Sequence, residues 1–269
     1  MRRLLRWIIF GLTTLIGIAA SLYPLLSTLR PTAGLESDTQ VSILLSLLVG
    51  VCLLVGVLEA QESVSSPKFV ALLGILLSIN AALRFVETAI PGPGGFSPVF
   101  FLVILVGYVF GGSFGFLMGA LTIVVSALIT GGIGPWLPYQ MLTAGWVGLS
   151  APLLRKLAGV LRIRQKRAEL ILLAGAGAVW GILYGLIMTF STLPYVLGFT
   201  LSAATGDASL GDALSRLLGF YVTTSALWDL LRALGNVALL LAFGRPTLQA
   251  LQRFHQRFIF RYQPLEAAP

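Results

Sequence analysis

Charge is scarce in this chain. Asp, Glu, Lys and Arg make up 10% of its 269 residues, against about 25% in a soluble domain, so its surface is not built to face water all round. Cysteine and histidine are nearly absent, at one each. The lone cysteine, Cys52, sits in the middle of an apolar run; it excludes an intrachain disulfide or a Cys-based metal site and reads as a small core residue. The lone histidine, His255, lies in a basic tail after the last apolar run, which excludes a membrane-embedded Ser–His dyad and a histidine-rich metal site. No Gly-x-x-x-x-Gly-Lys-Ser/Thr phosphate loop is present, and none of Lys68, Lys156 and Lys166 follows a glycine. ATP hydrolysis by that route is excluded, and no cofactor is implied. The acidic residues that stand out in the later runs are Glu87 and Asp229, and they make no evident catalytic pair.

What is abundant is hydrophobicity: 57% of residues, with a mean hydropathy of +0.93. Runs such as Leu4 to Leu26 and Val41 to Leu58 approach the roughly 20 residues that cross a hydrocarbon core as a helix. The chain reads as an all-α integral membrane protein. Apolar runs and breakers place spans near 4–29, 41–58, 69–88, 98–111, 114–130, 139–154, 168–190 and 217–243, eight in total. The net charge of +8 is concentrated in three clusters: Arg2, Arg3 and Arg6; the stretch Arg155 to Arg167; and Arg245, Arg253, Arg257 and Arg261. An even number of spans puts all three on one side, and basic residues near helix ends mark the cytoplasm. The surplus charge therefore reads as topology and contact with anionic headgroups of the lipid bilayer, not as a nucleic-acid surface. Both termini are expected inside a bacterial cytoplasmic membrane, with the first run a retained signal anchor.

The polar break Glu59 to Lys68 divides the chain into two N-terminal helices (1–66), a six-helix bundle (67–247) and a basic cytoplasmic tail (248–269). Glycines recur every fourth residue at Gly107, Gly111, Gly115 and Gly119, and again at Gly177, Gly181 and Gly185, a spacing that lets helix backbones approach closely in lipid. The first series crosses a predicted turn at Gly111-Gly112. Gly74, Ser78 and Ala82 form a third small stripe, open to two readings: packing inside the bundle or a surface offered to a partner.

Ionisable residues inside spans are costly and face a protein interior or cavity. Arg84 and Glu87 lie three apart near the external end of the third span, as an interfacial ion pair or as ligand contacts. Asp229, Arg232 and Asn236 share one helical face, either as a buried salt bridge that fixes the bundle or as the polar wall of a binding cavity. Two external junctions, Pro91 to Pro98 and Gly131 to Met141, are rich in Gly, Pro and aromatics. Phe96, Trp136, Tyr139 and Gln140 supply flat faces and hydrogen-bonding tips there, as small-molecule sites do, although Trp and Tyr also belt membrane interfaces.

The stretches Pro91 to Ala120, Gly134-Pro-Trp-Leu-Pro-Tyr-Gln-Met141 to Trp146, and Trp228-Asp-Leu-Leu-Arg-Ala-Leu-Gly-Asn236 followed by Gly244-Arg-Pro246 together resemble the S components of energy-coupling factor (ECF) vitamin transporters over roughly residues 69–260. The resemblance implies a six-helix bundle with a vitamin site near the external face, gated by the loop that maps onto Thr88 to Ser97. It further implies partners: a membrane coupling protein and two cytoplasmic ATPases, docked through small residues on the family's first helix. Gly74, Ser78 and Ala82 keep that spacing where the family usually has alanines. The two N-terminal helices have no counterpart in the resemblance. A membrane enzyme and a structural or assembly protein are the rival classes; the first lacks a nucleophile–base or metal constellation, and the second predicts no saturable ligand.

Overall fold

The computed structural model describes residues 2–27, 35–62, 67–89, 98–163, 165–196 and 210–258. They form helices α1 (Arg2–Ser27), α2 (Leu35–Glu62), α3 (Pro67–Ala89), α4 (Val99–Phe110), α5 (Gly112–Thr130), α6 (Leu137–Val160), α7 (Lys166–Val196), α8 (Leu210–Thr224) and α9 (Ala226–Phe258). The first seven predicted spans coincide with α1 to α7 to within about six residues at either end. The last one differs: 217–243 opens inside α8, breaks at Ser225 and continues as α9. The reason is local. Thr223 and Thr224 each bond back to the carbonyl of Phe220, at 3.0 and 2.6 Å, and such back-bonding bends helices.

Among the described residues, four helices hold segments long and apolar enough to cross a membrane: Pro67–Phe85, Gly112–Thr130, Lys166–Ser191 and Ala226–Gln256. Ile8–Ser21, Ile43–Leu58 and Val99–Phe110 are shorter apolar helices. Large apolar side chains such as Leu15, Leu47, Ile75 and Ile171 are exposed, as a lipid-facing exterior requires. The core sits on α4, whose residues from Val99 to Val109 are all buried; a helix apolar all round is stable when other helices enclose it.

Glycines set the closest crossings. A Cβ built on Gly119 would collide with the backbone carbonyl of Ala144, and one on Gly107 or Gly115 with the carbonyl oxygen of Gly148. That oxygen is available because Pro152 lies inside α6 and brings no N–H to bond four residues back. On the other side of the bundle, Gly177, Gly181 and Gly185 of α7 meet Leu240 and Asn236, Ala233, and Asp229 of α9, one contact per turn. Apart from Gly111, both series thus lie in internal seams. Gly111, at φ +103°, forms the one-residue turn between α4 and α5, a conformation open to glycine alone without strain. Gly131, at φ +68°, caps α5 in the left-handed conformation, with Gly132 N–H donating to Ala127 O at 3.0 Å as helix C-termini often do.

The N-terminal helices pack on α5, α6 and α7. Phe10 meets Phe116 edge-on, with centroids 5.0 Å apart, and Gly56 lies against the same ring. Three polar ties accompany these contacts: Trp146 Nε1 donates to Thr14 Oγ1 at 3.0 Å, Ser191 Oγ to Ser21 Oγ at 3.1 Å, and Ser46 Oγ to Pro135 O at 2.5 Å.

Candidate functional site

A buried ion pair lies where α7, α8 and α9 meet. Asp229 is 2% exposed and pairs with Arg232 one turn on, the ion pair the spacing offered. Its carboxylate rests against Gly185, where a Cβ would occupy the same space. The Arg232 guanidinium lies 5.4 Å from the centroid of the Tyr184 ring, and Tyr184 in turn packs edge-on against Phe100 at the start of α4, 4.9 Å between centroids. Tyr221 of α8 interacts with the Asp229 carboxylate. Asn236, fully buried, donates to Gly177 O at 3.2 Å. Of the two readings of this trio, the structural one is visible: each residue engages α7, and a buried charge in such a place is tolerated because its partner is beside it. The same arrangement puts a guanidinium, a carboxylate and two phenol rings together near one end of the bundle, which is the chemistry of a polar cavity wall.

The second group sits at the α5–α6 junction. Trp136 precedes α6, its indole lies over Gly134, and a Cβ on that glycine would overlap the ring. Pro138 occupies the first turn of α6, where its missing N–H is harmless. Trp136 is 36% exposed, Gln140 half-buried and Tyr139 buried, so only the first two present substantial surface. The Ser46 bond to Pro135 O anchors this junction to α2. The trio on α9 and this junction belong to different helix pairs, α7–α9 and α5–α6 with α2.

On α3 the inner face is Leu72, Leu73, Leu76, Asn80 and Ala81, all buried. The outer face carries Gly74, Ser78 and Ala82, all exposed. Nothing lies within 4 Å of a Cβ built on Gly74, and Ser78 Oγ merely bonds its own helix at Gly74 O, 2.9 Å. Arg84 is half-buried at the end of this helix. The side chain of Glu87 lies outside the described residues, and so does Phe96 with the junction 90–97.

Sequence reasoning missed Asn80. It is fully buried and donates to Val99 O at 3.2 Å and to Thr122 Oγ1 at 3.1 Å, which ties α3 to α4 and α5. Its spacing of four from Arg84 was a usable signal, since both then share a face. Also missed was a polar cluster at the opposite end of the bundle, where Tyr108 donates to Glu169 Oε1 at 2.5 Å.

A multi-helix apolar bundle with lipid-facing side chains and a buried ion pair between its helices defines an all-α membrane protein. The family model for the substrate-specific component of ECF transporters matches residues 68–243, and the chain belongs to that family. Neither a curated protein nor a solved structure matches it. Members of the family are multi-pass subunits of the bacterial membrane that bind a small-molecule substrate and work as part of an ECF transport complex, as transport subunits and not enzymes. The match starts at the first residues of α3 and leaves α1 and α2 outside it.

Proposed function

We propose that this chain captures a vitamin or vitamin-like micronutrient from the external side and delivers it through a complex with a membrane coupling protein and two cytoplasmic ATPases. The observation that carries the docking half is the state of the three small-residue stripes. Two of them are filled by neighbouring helices, whereas the stripe of Gly74, Ser78 and Ala82 has open space in front of it. Close packing through small residues is one of the main drivers of helix association in lipid, and here none of the described residues covers the space in front of Gly74. Purified protein carrying a leucine at position 74 or 78 tests this by its failure to co-purify with the coupling protein and ATPases.

The binding half rests on Arg84, Glu87, Phe96, Trp136, Tyr139, Gln140, Asp229, Arg232 and Asn236 as the ligand-contacting set at the external end. An aromatic mouth with glycine- and proline-rich junctions suits a large planar heterocycle, and a corrinoid of the cobalamin class is the proposed ligand. Mass spectrometry of what stays bound after mild purification tests it; a smaller vitamin in its place overturns the ligand and keeps the transport role. In this reading both termini and the Arg155 to Arg167 segment face the cytoplasm, and α1 and α2 brace the face made by α5, α6 and α7.

A further inference from the structure

At the end of the bundle that carries the basic clusters, Tyr108, Val109, Arg155, Glu169, Gln252, His255 and Gln256 line a pocket of about 440 Å³. It lies far from the α7–α9 trio: Asp229 and His255 are on the same helix, about 39 Å apart at 1.5 Å per residue. A bilayer with its headgroups is about 40–45 Å thick, so on the topology proposed above a pocket at this height opens into the headgroup layer opposite the external end. Exposed Lys156, Arg162, Lys166, Arg167 and Arg253 occupy the same end of the helices.

The pocket holds two opposite charges that do not pair with each other. Tyr108 separates them. The Arg155 guanidinium stacks over its ring, 5.0 Å from the centroid, and spends a nitrogen on Val109 O at 3.3 Å. Glu169 is held at the hydroxyl of the same side chain, which also interacts with Arg155, and its Oε1 accepts the phenol proton. A guanidinium has five N–H donors and a carboxylate has two oxygens, so each group keeps unfilled valence. The His255 ring that lines it packs edge-on against Phe110, 5.3 Å between centroids. An anion alone would meet the carboxylate, and a cation alone the guanidinium. A ligand with both signs, spaced by a short linker, satisfies the two together.

We propose that this pocket binds a phosphoethanolamine-type zwitterion, its phosphate on Arg155 and its ammonium on Glu169, with Gln252 and Gln256 as neutral partners. The headgroup of phosphatidylethanolamine supplies that chemistry at this depth of the membrane, and soluble O-phosphoethanolamine is the same group without chains.

The test uses the full-length protein in nanodiscs of phosphatidylethanolamine, phosphatidylglycerol and phosphatidylcholine in equal parts, with native mass spectrometry of the lipids that stay bound. Phosphatidylethanolamine should be retained at least five-fold over the other two. Glu169→Gln keeps an oxygen to accept the Tyr108 proton but loses the charge, and it should abolish the preference over phosphatidylglycerol while leaving the melting temperature in place. Arg155→Gln should lose retention of all three. Titration with O-phosphoethanolamine assigns the source: competition with the lipid supports a lipid-filled site, and binding without lipid enrichment supports the same pocket filled from solution. Equal retention of the three lipids together with no binding of O-phosphoethanolamine overturns the proposal, as does an undiminished preference in Glu169→Gln.

Discussion

Gly74→Leu separates a docking surface from a packing seam because the two give opposite signs. In the isolated chain the new side chain enters space that none of the described residues occupies, so it has none of them to overpack. Replacing a mid-helix glycine by leucine should then leave stability unchanged or raise it by up to about 0.8 kcal/mol, the usual difference in helix propensity. If another helix approaches along Gly74, Ser78 and Ala82, leucine forces the two backbones apart. Overpacking of a close contact costs about 1–3 kcal/mol, or about five- to 150-fold in assembly at 1.4 kcal/mol per tenfold. Gly119→Leu is the control, since its Cβ meets the Ala144 carbonyl inside the chain; it should melt at a lower temperature whatever the partners. The assay pairs melting curves in detergent with co-purification of the coupling protein and ATPases. A Gly74→Leu protein that melts as low as Gly119→Leu, or one that assembles as well as the parent, refutes the reasoning. Ligand retention should be the same in Gly74→Leu and the parent.

Asp229→Ala leaves the Arg232 guanidinium without its partner in a largely buried position, at a cost of about 3–5 kcal/mol; the double variant with Arg232→Met should recover part of that loss in a melting experiment, and failure to recover argues that the pair is not the unit. Trp136→Ala should weaken ligand binding by about five- to 150-fold, from about 1–3 kcal/mol of lost area and aromatic contact, with little effect on melting, whereas an interfacial-belt tryptophan would shift melting and spare the dissociation constant; titration of the retained ligand beside melting curves decides. Ser46→Ala removes the bond to Pro135 O, and the loss of about 1 kcal/mol expected for one hydrogen bond should appear as faster hydrogen exchange at the 131–136 junction. Once Cys52 is replaced, Val160→Cys should resist a membrane-impermeant thiol reagent added to intact cells; labelling from outside would reverse the assigned topology.

Hydrophobic composition and periodicity were enough to place α1 to α7, because a segment of about 20 apolar residues is stable in a bilayer only as a helix that satisfies its own backbone. They were not enough for the eighth span. Its interruption at Ser225 depends on threonine hydroxyls bonding back to Phe220, and composition does not reveal a competition between two acceptable geometries. The family was legible for a similar reason: the Gly-Pro-Trp-Leu-Pro-Tyr-Gln-Met segment joins helix breakers to aromatic and amide side chains in one short stretch. The Asp229–Arg232 pair was legible too, because three residues along a helix return to one face.

Which side of a helix faces its neighbours was decided only by the tertiary structure. Glycines four apart look alike in sequence at Gly107 to Gly119, at Gly177 to Gly185, and in the stripe that begins at Gly74; whether a stripe is seam or surface depends on what stands opposite, and residues far away in the chain supply that. Gly148 opposes Gly107 and Gly115, and Asp229 opposes Gly185, whereas none of the described residues opposes Gly74. The same is true of Tyr108 and Glu169, 61 residues apart and joined by one hydrogen bond. Local pattern sets which elements form, since backbone satisfaction and hydrophobicity act over a few turns. Sites made by several elements require the long-range packing that brings them together.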